Sequence, residues 1–135
     1  ADRLDAVIGA CALVADLKEL RDGLDSLVGD RGINLSGGQK ARICLARATY
    51  QCGSARTFVL DDPLAAVDTQ VARHLMNECL GSERGLLRGC TRVLVTHQRQ
   101  YLAWADLVVV VRDGASWHAD PRPASPRTSS PRTIP

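Results

Sequence analysis

A chain of 135 residues, 45% hydrophobic and 24% charged, has the make-up of an ordinary globular domain with one modest core. Lys and Arg exceed Asp and Glu by two, but residues 1–114 hold fourteen of each, so the excess lies in the tail and the body offers no basic surface for nucleic acid. The longest conspicuous apolar run, Leu107 to Val111, is far short of the ~20 residues that cross a bilayer, and five cysteines without a C-x-x-C spacing exclude the usual zinc and dithiol motifs.

The cysteines (Cys11, Cys44, Cys52, Cys79 and Cys90) read as reduced, mostly buried cytosolic thiols. The chain opens on Ala rather than Met and shows no signal peptide, so its start reads as the interior of a larger product. From Asp2 onward Leu4, Val7, Ile8, Cys11 and Ala12 recur at helical spacing, and Leu13, Leu17 and Leu20 predict a second short helix. A loop rich in Gly and Asp follows, over residues 21–32. Ser36 then caps a helix whose Ala41, Cys44, Leu45 and Ala48 share one face, read as core.

Thr57 to Leu60 predicts a short buried strand that stops at Asp61-Asp62-Pro63. Asp68 or Thr69 caps the next helix, which runs to about Leu80 with Val71, Leu75 and Cys79 inward. Arg92 to Thr96 reads as a second strand, delivering His97 at its carboxyl end. A brief helix over residues 98–104 leads to a third strand, Leu107 to Val111, closed by the turn dipeptide Asp113-Gly114. Strands with continuous rather than alternating apolar character predict a parallel sheet covered on both faces. From Ala115 to Pro135 the composition turns to Ser, Pro and Arg, with SPRT twice, and predicts a disordered tail.

Three places suit chemistry. At Ser36-Gly37-Gly38-Gln39 a helix start exposes unpaired N–H groups, and glycines let an anion approach the backbone; read alone, the residues suit equally a capped helix and a phosphate site. Asp61 and Asp62 end a strand where α/β sheets place ligand chemistry: one carboxylate there suits magnesium, and a second beside it can orient or deprotonate water. The structural alternative is an acidic loop before a proline. His97 is either structural or functional, and His74, His97 and His118 show no zinc spacing. No window fits G-x-x-x-x-G-K-[ST]: Gly32 to Gly37 has the first spacing but is followed by Gly38 and Gln39.

In order and spacing, LSGGQ (Leu35 to Gln39), TFVLDDP (Thr57 to Pro63), LAAVD (Leu64 to Asp68) and VTHQ (Val95 to Gln98) resemble the signature, Walker B strand, D-loop and H-loop of an ATP-binding cassette transporter. DDPLAAVD, with Asp62 where the catalytic Glu is usual, is similar to the first nucleotide-binding domain of the multidrug resistance-associated, or C, subfamily. The resemblance covers residues 1–114. It implies an α/β fold: a partial P-loop NTPase-type parallel sheet of about three strands, with part of the α-helical signature subdomain. It also implies an ATPase module of a membrane exporter of drugs and organic anions, at the cytoplasmic face. ATP and magnesium would be its cofactors, and a second nucleotide-binding domain and the transmembrane domains its partners.

By the same resemblance Asp61 holds magnesium, Asp62 stands at the catalytic-base position and His97 contacts the γ-phosphate. Ser36, Gly37, Gly38 and Gln39 meet the γ-phosphate of ATP held by the opposite domain, and Asp68 lines the seam between domains. Asp62 is one methylene shorter than Glu, about 1.5 Å, so its site is expected to bind ATP and hydrolyse it slowly.

The P-loop strand and glutamine loop precede residue 1 in the family pattern. Without that strand the sheet keeps an unpaired edge, which predicts a marginally stable, aggregation-prone chain. An alternative role is a non-catalytic fragment that docks on an intact nucleotide-binding domain and modulates it. A chromosome-maintenance or DNA-repair ATPase would show coiled-coil heptads and Glu at 62, and neither is present.

Overall fold

The computed structural model of the chain describes residues 2–29, 34–81, 83–113 and 115–121. It divides into two compact units, Ala1–Thr96 and His97–Pro135. The first unit opens with helices α1 (Arg3–Ala10) and α2 (Val14–Glu19), joined by Ala12 at a positive φ of 55°. A single 3-10 turn, Gly23–Asp25, interrupts the loop beyond them. Helix α3 (Gly37–Tyr50) is the longest described element, and strand β1 (Thr57–Asp61) follows it.

Helix α4 (Thr69–Leu75) starts where Asp68 accepts hydrogen bonds from the N–H groups of Gln70 and Val71. These donations, Val71 first, hold the Asp68 carboxyl below its ordinary value. The helix expected to continue to about Leu80 instead widens after Leu75 into a π-helical turn, Met76–Leu80. There the Cys79 carbonyl accepts from the N–H of Leu87, and the Glu78 carbonyl accepts from that of Leu86. The chain thus folds back onto the turn, and Leu87 is fully buried.

Strand β2 (Thr91–Val95) pairs in parallel with β1, Thr57 opposite Thr91 and Asp61 opposite Val95. A β-α-β unit is thereby complete within the first 96 residues. Its core gathers Leu64, Leu75 and Leu87 with Phe58 and Leu60. At a second focus Cys11, Thr49 and Cys79 meet: Thr49 donates its hydroxyl to the Leu45 carbonyl at 2.7 Å and lies 3.3 Å from the Cys79 sulfur. His74 joins α4 to α1 through the Gly9 carbonyl, 2.8 Å away.

Two expectations about the sheet need correction. Coverage on both faces does not hold, because Phe58 and Leu60 are buried whereas Val59 is 72% exposed and Val93 and Val95 stand about half exposed. A pleated strand sends alternate residues to opposite faces, and among the described residues only one face of β1 is buried. Val59, Val93 and Val95 thus leave apolar side chains exposed along the two strands. The third strand also fails to join this sheet. Strand β3 (Leu107–Arg112) belongs to the second unit and pairs antiparallel with β4 (Ala115–Pro121), with an irregular register between Val110 and Val111.

The start of the tail, expected to be disordered from Ala115, therefore forms a strand as far as Pro121; residues 122–135 lie outside the described residues. A hairpin partner a few residues away costs little loop-closure entropy. The second unit also holds a 3-10 helix, Arg99–Trp104, with Tyr101 buried. Among the described residues no helix is long and apolar enough to cross a membrane.

Candidate functional site

The start of α3 is built from its own side chains. Ser36 Oγ accepts from the Gln39 N–H at 3.1 Å, and Gln39 Oε1 accepts from the Ser36 N–H at 2.9 Å, a reciprocal capping box. The box fixes the first turn and leaves the N–H groups of Gly37 and Gly38 without an intrahelical acceptor, as at any helix start. Gln39 is fastened further, its Nε2 donating to Asp16 Oδ1 at 3.1 Å. Asp16 in turn takes Arg42, Nε at 3.2 Å and Nη2 at 2.7 and 2.8 Å, with both side chains only 13% exposed. Helix α2 thus braces α3 one turn in.

The segment after β1 lies against the same helix start. A Cβ built on Gly38 would stand 2.9 Å from the Ala66 carbonyl oxygen and 3.3 Å from the Arg42 guanidinium, so no larger residue fits without backbone movement. At Gly37 the nearest atom would be the Ala66 Cβ at 3.8 Å, an ordinary contact. Gly37 and Gly38 are therefore brought against Ala66, in the segment that leads to Asp68, exposed at the head of α4.

Asp61 and Asp62 close β1. Asp61 is exposed; Asp62 is half-buried, with φ at 41° and its N–H donated to the Val95 carbonyl at 2.9 Å. Left-handed backbone in a non-glycine residue costs roughly 1–3 kcal/mol and clusters at functional sites. Asp62 Oδ1 is buried without a hydrogen-bond partner among the described residues, the kind of orphan that marks a functional or ion-binding group. Both residues line a cleft of about 300 Å³ together with Ala41, Cys44, Leu45 and Ala48 of α3.

That α3 face was expected to be core. Of its four residues only Leu45 is buried, Ala41 and Ala48 are half-buried and Cys44 is exposed. The correction has the same origin as the exposed face of β1: the cleft beside the carboxylates stands open.

Among the described residues no group of three or more His, Cys, Asp or Glu side chains converges. Two adjacent carboxylates, one exposed and one with an orphaned oxygen, still fit magnesium, which takes one or two carboxylates and fills its remaining positions with water and phosphate oxygens. His97 is exposed and opens the second unit, directly after the strand that pairs with β1.

The residues that sequence reading missed are Asp16, Arg42 and Ala66. The capping box was legible as Ser36-x-x-Gln39. The brace was not, since Asp16 is remote in sequence from both of its partners.

No protein-family model matches the chain. Over 122 residues, 90% of its length, it is 48% identical to ATP-binding cassette sub-family C member 3 of Homo sapiens. It is 50% identical over 113 residues, 84% of its length, to human sub-family C member 4, and 51% identical over 112 residues, 83%, to multidrug resistance protein mrp-7 of Caenorhabditis elegans. The chain spans 7–8% of the length of these relatives. Such identity along most of the chain, with the ordered motifs on a β-α-β unit, defines an ATP-binding cassette protein. Within that class the chain belongs to sub-family C, with human members 3 and 4.

Proposed function

We propose that the chain is part of the ATP-hydrolysing module of a sub-family C exporter of drugs and organic anions, at the cytoplasmic face of its membrane. The observation that carries this reading is the braced start of α3: Ser36, Gly37 and Gly38 present their backbone, and the Ala66 carbonyl packs against Gly38. In this reading the helix start meets the γ-phosphate of ATP held by the P-loop of a second nucleotide-binding domain. Asp68, exposed beside it, lines the seam between the two domains.

The chain's other half serves a different nucleotide. Asp61 would hold magnesium and Asp62 would receive the proton of an attacking water at a carboxylate oxygen; for His97 the match to the H-loop implies contact with a γ-phosphate. The chemistry a bound magnesium supplies is neutralisation of charge on the phosphate oxygens. The orphaned Oδ1 of Asp62 supports the role of acceptor. The missing methylene of Asp62, relative to Glu, makes this second site slow.

Gly37→Asp tests the first half. The site has room for a Cβ, so the fold persists, but a carboxylate replaces a surface that accepts anions. In an assembly of two nucleotide-binding domains, the rate at the site served by this signature is expected to fall by about 10²-fold or more, the size of effect seen when oriented N–H stabilisation is lost. An unchanged rate would refute the proposal.

A further inference from the structure

The sulfur atoms of Cys52 and Cys90 lie 3.7 Å apart although 38 residues separate them in sequence. Both residues are half-buried, so small reagents reach them; the other close pair, Cys11 and Cys79 at 3.9 Å, is fully buried, and Cys44 is exposed without a sulfur neighbour among the described contacts. We propose that Cys52 and Cys90 form a redox-active thiol pair that a low-molecular-weight disulfide, such as oxidised glutathione, closes to an intrachain disulfide.

The backbone around both sulfurs is already fixed. Cys52 lies two residues past the end of α3, and its carbonyl accepts from the Arg3 guanidinium, which also stacks over the Tyr50 ring at 5.3 Å. Its thiol donates to the Leu86 carbonyl at 3.4 Å. Cys90 directly precedes β2, its N–H bonded to the Leu87 carbonyl, and next to it the Thr91 N–H is bonded to the Arg56 carbonyl at 2.9 Å. The two chain segments are thus held side by side, and passage from contact to the ~2.05 Å bond falls to side-chain rotation. Burial, then the contact with Cys90, pushes the Cys52 thiol up, while the Arg3 guanidinium works in the opposite direction.

The reaction is two exchanges. One protein thiolate attacks a sulfur of oxidised glutathione, forms a mixed disulfide and expels a glutathione thiolate. The second protein thiolate then attacks the protein-side sulfur of that mixed disulfide and expels the other. Two protein thiols are oxidised and one disulfide is reduced to two thiols, which take up both protons. The product ties the end of α3 to the start of β2, at the far end of the strands from Asp61 and Asp62.

The test equilibrates the full chain with oxidised and reduced glutathione, alkylates free thiols, digests with trypsin without reduction and identifies linked peptides by mass spectrometry. The expected product joins residues 48–56 to residues 89–92, at roughly tenfold or greater excess over any other pairing, because a preformed contact gives a high effective molarity. Cys44→Ser leaves this product unchanged and Cys90→Ser removes it. A lasting glutathione adduct on Cys52, preferential linkage through Cys44, or alkylation of both thiols under oxidising conditions would each overturn the proposal.

Discussion

On the proposed reading, Asp62→Glu is expected to raise ATP hydrolysis at the site that β1 enters by about 10²-fold, since a reacting group misplaced by about 1 Å costs roughly that factor. The carboxylate of Asp62 has little freedom to make up the lost length. Its N–H is tied to the Val95 carbonyl, its φ is 41°, and one oxygen is buried without a donor among the described residues. In the proposed role, a longer side chain would advance the carboxylate toward an attacking water. The gain has a cost in folding, because Glu tolerates left-handed backbone less well than Asp, and the variant is expected to be about 1 kcal/mol less stable. Steady-state hydrolysis in a two-domain assembly, with the partner's own catalytic residue disabled, reads the effect. A rate within twofold of the parent would show that the missing methylene is not what limits this site.

The second large effect lies outside the motifs. Asp16→Ala removes the acceptor of three Arg42 hydrogen bonds and one from Gln39, and leaves the Arg42 guanidinium mostly buried without its ion-pair partner. Loss of charge-assisted bonds at such a site costs about 2–3 kcal/mol. The first unit should therefore unfold at a lower urea midpoint. Arg42→Ala in the same background should cost little more, since a cycle of the two substitutions isolates their coupling. Additive effects would mean that the pair is a surface contact of little consequence. Gln39 loses one of its two anchors in Asp16→Ala, so the α3 start should also respond more weakly to nucleotide on a partner domain.

What could be read from the sequence was local. Ser36 as the cap of α3 follows from a short-range pattern and the structure reproduces it; β1, read as Thr57 to Leu60, runs one residue further to Asp61, and of the two caps read for α4, Asp68 or Thr69, the structure takes Asp68. The parallel pairing of β1 with β2 follows from a helix lying between two apolar runs. Pairing beyond that is set by competition. β3 had the parallel sheet as its expected destination, yet the turn at Asp113 offers a neighbour that needs no long closure, and β4 takes it. The turn dipeptide Asp113-Gly114 is legible in the sequence, but the Ser, Pro and Arg composition beyond it conceals the strand that follows.

Burial was least legible, because the apolar content of TFVLD is the same whether one face of the strand is covered or both. The brace from Asp16 to Gln39 and Arg42 has no sequence signature, as it depends on how α2 packs beside α3. The Cys52–Cys90 contact is equally silent in spacing, since 38 residues separate the two thiols. Motif reading finds groups that must lie close together along the chain; contacts made by packing have to be seen.

In the proposed role the α3 start recognises the γ-phosphate of a nucleotide held by another domain. Association of the full chain with a P-loop-bearing sub-family C nucleotide-binding domain, measured with a non-hydrolysable ATP analogue and again with ADP, tests it directly. Binding is expected to be at least about tenfold tighter with the analogue, a difference of roughly 1.4 kcal/mol, and to lose that preference in Gly37→Asp. Equal affinity in both nucleotides, or a preference that survives Gly37→Asp, would contradict it.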